Sequence, residues 1–246
     1  MSRLKSDELK KLHQKKYRQQ FGCFLAEGEH LVLELQKAAE TNPALLESEL
    51  YVSDSYQDWP GPLHKTVVSD KLMMQMSDTK SPQGIIASVP IAALQHSEPA
   101  PVQRAVYLFE TQDPGNLGTI LRTLGWFGNF ACLLSPGCVD PYNAKVVRAS
   151  MGAIFHVPVE IDVPLSTLAS RYAAIGCLDM QGEKLTSGTF HQSDCLVFGN
   201  EARGVPAEQL DAMNARAFSI PGCGDVESLN VAAVVNMCVY EINREN

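Results

Sequence analysis

The chain has 246 residues, 45% of them hydrophobic and 20% charged, with a formal net charge of −8. That profile excludes a disordered or collagen-like chain and leaves length for one large globular domain or two small ones. No apolar run approaches a membrane span, and the amino terminus is basic and polar, unlike a secretory signal.

Seven cysteines are scattered without a CxxC pair, and six histidines show no HExxH spacing. This usage predicts free thiols in a reducing cytoplasm and no metal site. Charge is unevenly placed. Within residues 1–20, Arg3, Lys5, Lys10, Lys11, Lys15, Lys16 and Arg18 stand against only Asp7 and Glu8. A basic arm on an acidic body reads either as an electrostatic footprint for RNA or DNA or as a solvated helix. Composition alone leaves the two open.

Residues 4–19 favour helix by propensity, and residues 21–25 are short and apolar. Residues 27–39 carry Leu31, Val32, Leu35, Ala38 and Ala39 at helical spacing until Asn42-Pro43 breaks the pattern. Brief strands are predicted over 50–53 and 65–68, with a turn-rich segment 54–62 between them. Ser69 is placed to cap a helix running to Met76, and 84–89 is another strand. Residues 1–95 thus read as a small α/β domain. The segment 96–103, HSEPAPVQ, has two prolines separated by one residue and reads as a linker.

From residue 104 to 246 the rhythm is clearer. Residues 105–109 form a continuous apolar strand, as expected inside a parallel sheet. Asp113-Pro114-Gly115-Asn116 turns it into a helix reaching Phe127. Strands follow at 130–134, 157–161, 175–180, 195–198 and 217–220. Helices are predicted over 143–154, 165–174, 207–213 and 229–243, the last with Val231, Val234, Val235, Cys238 and Ile242 on its core side. Repeated βα units imply a mostly parallel sheet with helices on both faces and ligand loops at the carboxyl ends of strands.

The familiar nucleotide and hydrolase signatures, GxGxxG after the first strand, GxxxxGK[ST] and GxSxG, are absent. Two glycine-containing loops, LVFGNEARGVP and FSIPGCGDVESLN, instead leave apolar strands and suit close approach of main chain to a nucleotide-like ligand. Each polar residue near them has an ordinary reading. Asn116 and Ser228 are credible helix caps, Arg122 can snorkel from an apolar helix, and Glu201 can pair with Arg203 at the surface. Asn230 is harder to dismiss, being a weak helix former in a first turn.

Taken in order, QDPGNLGTILRT, LVFGNEARGVP and FSIPGCGDVESLNVAAVVNMCVYE resemble the three motifs of the SpoU (TrmH-like) branch of the SPOUT methyltransferases. The intervening SPGCVDPYNAKVVRASMGAIFHVPV is also similar, and FLAEGEHLVLEL with SDTKSPQGIIASV resembles the substrate-binding domain often placed before the catalytic one. The resemblance implies transfer of a methyl group from S-adenosylmethionine to a ribose 2′-hydroxyl of RNA, with ribosomal RNA favoured over transfer RNA. It also implies a carboxyl-terminal trefoil knot and a homodimer formed through the knotted domain, whose active sites take residues from both subunits. The matched catalytic positions are Asn116, Arg122, Glu201, Ser228 and Asn230. The matched cofactor contacts are Gly199, Ile220 and Leu229, with Met180 as an additional wall. Whether Arg122 is a base or a cation that anchors phosphate and steadies a developing alkoxide stays open, although a pKa above ~12 makes arginine a reluctant base. Gly222-Cys223-Gly224 departs from the family, where a methionine and a single glycine are more usual.

Overall fold

The computed structural model describes residues 4–95, 104–223, 225 and 228–244. It divides into two compact units, Met1–Glu98 with Asp140–His156, and Pro99–Val139 with Val157–Asn246. The expected linker, 96–103, lies outside the described residues.

The first unit is built on four strands, β1 (Cys23–Glu27), β2 (Glu49–Val52), β3 (His64–Val67) and β4 (Ile85–Pro90). Their order is β1-β4-β2-β3. β4 runs antiparallel to both neighbours, while β2 and β3 pair in parallel. Every residue of β4 is buried, as a central strand covered on both faces requires. Phe24 of β1 packs against Tyr142 and Phe155, so the segment Asp140–His156 belongs to this core. Within that segment the single helix expected over 143–154 is interrupted. Ala144–Ala149 is helical and Ala153–Phe155 is a 3-10 turn. Met151 and Gly152 between them have φ of 51° and 92°, which no continuous right-handed helix can contain.

The amino-terminal helix expected over 4–19 is likewise three pieces, Ser6–Leu9, a 3-10 turn Lys10–His13, and Lys15–Phe21. The chain extends at Gln14, so that Leu9 and Leu12 enter a core with Met73, Met76 and Ile86 while the next helix starts in a new direction. Arg18 explains why this break is stable. Its guanidinium, only 3% exposed, donates to the Leu12 carbonyl at 2.7 Å and to the Asp140 carboxylate at 2.6 and 2.9 Å. Removing either partner would strand a buried charge, at a cost of about 3–5 kcal/mol. Arg18 is therefore a structural residue, and the basic arm inferred from charge counting is one cation poorer. Lys10 is also engaged, pairing with Asp7 at 3.3 Å.

The second unit holds β5 (Arg104–Leu108), β6 (Phe130–Leu134), β7 (Val159–Glu160), β8 (Ile175–Lys184), β9 (Cys195–Phe198) and β10 (Arg216–Ser219). They form one sheet ordered β10-β8-β9-β5-β6-β7 in which every pairing is parallel. Its apolar interior includes Ala105, Leu133, Leu168, Cys195 and Val197, with the buried Tyr107 hydroxyl donating to the Val163 carbonyl at 2.9 Å. The helix Pro114–Phe127 packs against the closing helix Val231–Asn243. Only Leu168–Arg171 of the stretch expected as helix over 165–174 is α-helical, after a 3-10 turn Leu165–Thr167, and a short helix Gly188–His191 was not expected. β8 also runs past the expected end at Met180. Cys177 pairs with Ala217, but the next residue of β10, Phe218, pairs with Glu183. Residues 178–182 therefore bulge out of the ladder, which re-aims their side chains. Among the described residues, no helix is long and apolar enough to cross a membrane.

Candidate active site

In a parallel sheet all carboxyl ends share one edge, and ligands bind there beside the strand where the order reverses. β5 is that strand, with β6 and β7 on one side and β9, β8 and β10 on the other. A cleft of about 820 Å³ opens between the β8 bulge and the loop after β10. This is the size of a small-molecule site. Met180 and Leu229 line it while remaining 78% and 48% exposed, large apolar surfaces that the chain itself leaves in water. Ile220 and Ser228 line it too, and Asp179 and Lys184 bring charges of both signs. Gly222 lies on the wall with no atom within 4 Å of the position a Cβ would take, so main chain there faces open space.

Gly199 is not among the lining residues. A Cβ on it would fall 2.6 Å from the Gly204 carbonyl carbon, so its glycine allows the loop after β9 to close on itself through the Asn200–Gly204 bridge. That loop carries Glu201.

Beside the cleft, three of the expected catalytic residues meet. The Asn116 amide donates to Glu201 Oε1 at 2.9 Å, and the Asn230 amide donates to Asn116 Oδ1 at 2.8 Å. Asn230 is held as well by its own helix, because its Oδ1 accepts from the backbone N–H groups of Ala232 and Ala233. One residue thus caps the closing helix and fixes the orientation of Asn116. Ser228 is exposed near this node and does not cap the helix, while Asn116 is not the cap of its own helix either. Asp113 does that work, accepting from Asn116 N at 2.7 Å, which leaves the Asn116 side chain for Glu201 and Asn230. An acid directly before a proline at the first helical position is itself a helix-start signal, and it marks Asp113, not Asn116, as the cap.

Glu201 does not pair with Arg203. Arg203 reaches Glu110 instead, at 2.6 Å, and the Asn200 amide donates to the Glu110 carbonyl at 2.8 Å. Glu110 has φ of 49°, an uncommon conformation for a non-glycine residue, where β5 gives way to its loop. This clasp ties the loops after β5 and β9 together. No local pattern in the sequence marks it. Arg122 is not brought to the node. It lies exposed on the Pro114–Phe127 helix, with no hydrogen bond or ion pair to any described residue.

An all-parallel α/β sheet with a ligand-sized cleft and a polar node at its carboxyl edge is an architecture suited to a small organic ligand. Comparison with known proteins narrows the class. The SpoU rRNA Methylase family matches residues 103–240, and an MRM3-like substrate binding domain matches residues 5–87. The chain is 32% identical to the 23S rRNA (guanosine(2553)-2′-O)-methyltransferase of Bacillus subtilis, over 97% of this chain and 95% of that one. A Porphyromonas gingivalis structure assigned to the TrmH family superposes with a TM-score of 0.80 at 27% identity, covering 100% of this chain and 99% of that one. The fold is shared too with the AdoMet-bound rRNA methyltransferase of Sinorhizobium meliloti, at a TM-score of 0.78 and 24% identity over 98% and 94% of the two chains. The chain belongs to the SpoU rRNA methylase family and is an RNA methyltransferase.

Proposed function

We propose that the β8–β10 cleft holds S-adenosylmethionine and that the Asn116–Glu201–Asn230 node, with Arg122, presents a ribose of ribosomal RNA to it. The reaction is methyl transfer to the ribose 2′-hydroxyl. The observation that carries this reading is the convergence of three motifs, 85 and 114 residues apart in sequence, on the single side chain of Asn116. The cleft suits the donor, with exposed Met180 and Leu229 for an adenine or thioether, bare main chain at Gly222, and charges of both signs for a zwitterionic amino-acid end. When bound, S-adenosylmethionine supplies an electrophilic sulfonium methyl group.

The protein's own work is positioning and electrostatics. Asn116 is locked on both sides, so it holds a ribose or phosphate oxygen without reorganising as charge develops. Glu201 orients the Asn116 amide, and Ser228 at the cleft mouth offers a hydroxyl to the ribose. Arg122 anchors a phosphate and steadies the developing alkoxide.

A homodimer completes this reading. Trp126, 85% exposed, and Met237 and Tyr240, also exposed, lie on the two helices that pack together, a concentration of apolar surface that favours a second copy. Arg122 is one helical turn from Trp126, so it sits at the margin of that surface. The trefoil knot belongs to the same proposal, as does a reducing cytoplasm, with which seven free cysteines agree.

Given methyl-labelled S-adenosylmethionine and unmodified ribosomal RNA, the protein should label one nucleotide and render the adjacent phosphodiester resistant to alkali. Label in alkali-sensitive products would mark a base methyltransferase. Cofactor binding without transfer would mark a non-catalytic RNA binder.

Cys223 tests the cleft separately. It is exposed on the cleft wall, whereas burial pushes the Cys195 and Cys238 thiols up to about 12. A maleimide at neutral pH should modify Cys223 first, and saturating S-adenosylmethionine should slow that modification about tenfold, as read by peptide mass spectrometry. Unprotected labelling would move the donor out of this cleft.

A further inference from the structure

With Arg18 committed to Asp140 and Lys10 to Asp7, the described cations left in the amino-terminal segment are Lys5, beside Asp7 and Glu8, and the three lysines that follow Lys10. Lys11, Lys15 and Lys16 are exposed, and none has a carboxylate partner among the described residues. The sequence has no acidic residue between Glu8 and Glu27, so no carboxylate within this stretch offsets the three lysines.

Two of these lysines share one aromatic ring. The Lys11 and Lys16 ammonium groups lie 5.5 and 5.7 Å from the centroid of one ring, that of Tyr17. Tyr17 is itself steadied by Phe21, one helical turn on, with centroids 6.0 Å apart and planes 17° from parallel. Two ammonium groups at one ring lie no more than about 11 Å apart, within or close to the screening length at physiological salt, so they repel. The negative face of the ring offsets part of that repulsion, and an anion bound between them would offset the rest. A merely solvated helix face would spread its lysines or pair them with carboxylates one turn away.

The backbone beneath is anchored. Leu9 and Leu12 are in the core, and Arg18 ties the helix Lys15–Phe21 to the turn before it. The cations are thus presented by a rigid element, which lowers the ordering cost of binding.

We infer that Lys11 and Lys16, gathered at Tyr17, together with the neighbouring exposed Lys15, grip successive phosphates of the substrate RNA. The inference rests on the RNA methyltransferase reading and assigns the contact to a particular surface of the first unit. RNA is the occupant that fits, because an acidic protein needs such a local patch to hold a polyanion, and repeated phosphates match repeated ammonium groups.

Filter binding to a ribosomal RNA fragment, without S-adenosylmethionine, tests it between about 50 and 200 mM salt. The triple variant Lys11→Gln, Lys15→Gln, Lys16→Gln should bind at least about tenfold more weakly at the low-salt end, and its log–log salt slope should fall by about two. The arginine triple should keep the wild-type slope, which a fold defect would not allow. Tyr17→Leu should weaken binding severalfold with the slope intact, and Tyr17→Phe should restore it. An unchanged slope in the glutamine triple would overturn the surface, and a Tyr17→Leu affinity equal to wild type would overturn the part played by the ring. Methyl transfer by the wild type, measured alongside, keeps the two readings apart. Transfer with an unchanged slope sinks only the surface, while a lysine-dependent slope without transfer sinks only the enzymatic reading.

Discussion

Replacing Arg122 with alanine should lower kcat for methyl transfer by about a thousandfold, the scale set by losing one donor to a developing oxyanion. S-adenosylmethionine affinity should stay within about twofold. Arg122 is outside the cleft lining and has no partner among the described residues. Its neighbours Ile120, Leu121, Thr123 and Leu124 are buried, so the helix has other reasons to fold, and the guanidinium is dispensable for stability. An unpaired arginine held on a well-packed helix is what the proposed phosphate contact requires, since no described residue supplies it an anion. Arg122→Lys should recover part of the rate, because it keeps the charge and loses the planar fork that grips phosphate. Single-turnover kinetics with isothermal calorimetry separate the effects. Lost donor binding in the alanine variant would place Arg122 in cofactor binding and remove it from the chemistry.

What could be read from the sequence tracks where local chemistry decides structure. The apolar runs that became β5, β6 and β9 are buried parallel strands whose composition leaves little choice, and the Asp-Pro-Gly start of the 114–127 helix is equally plain. β8 was not legible beyond Met180. The polar residues Glu183 and Lys184 pair only because β10 lies alongside after a five-residue bulge, and no periodicity announces that. The break at Gln14 was hidden for a related reason, since residues 4–19 are good helix formers and only the burial of Leu9, Leu12 and Arg18 overrides that propensity.

The site divides in the same way. Asn116, Glu201 and Asn230 gained meaning from motif order, and the structure adds their hydrogen bonds, which sequence spacing cannot express. The Glu110–Arg203 clasp and the cleft charges of Asp179 and Lys184 were invisible, because each depends on loops from different strands meeting in space.

Asn116 offers the sharpest test of how the node works. Asn116→Asp changes almost no volume, yet it replaces the amide that donates to Glu201 with a second carboxylate at a 2.9 Å contact. The Asn230 amide still finds an acceptor, so the closing helix keeps its cap. The expected result is a fall in kcat of about a hundred- to a thousandfold at neutral pH, since the orienting hydrogen bond becomes a repulsion. Two facing carboxylates raise the pKa of one of them, so lowering the pH should return a proton to the pair and with it a donor. Activity of this variant should therefore rise relative to wild type as pH falls from about 7 to about 5, a trend that general misfolding would not produce. The double variant Asn116→Asp, Glu201→Gln carries the argument further. It restores a donor–acceptor pair with the polarity reversed, glutamine amide to carboxylate. Recovery of kcat at neutral pH in the double variant would mean that Glu201 serves to orient its neighbour. A double variant as slow as the single one would mean that restoring the pair is not enough, and that the Asn116 amide N–H, lost in both variants, or the Glu201 carboxylate acts on the substrate directly.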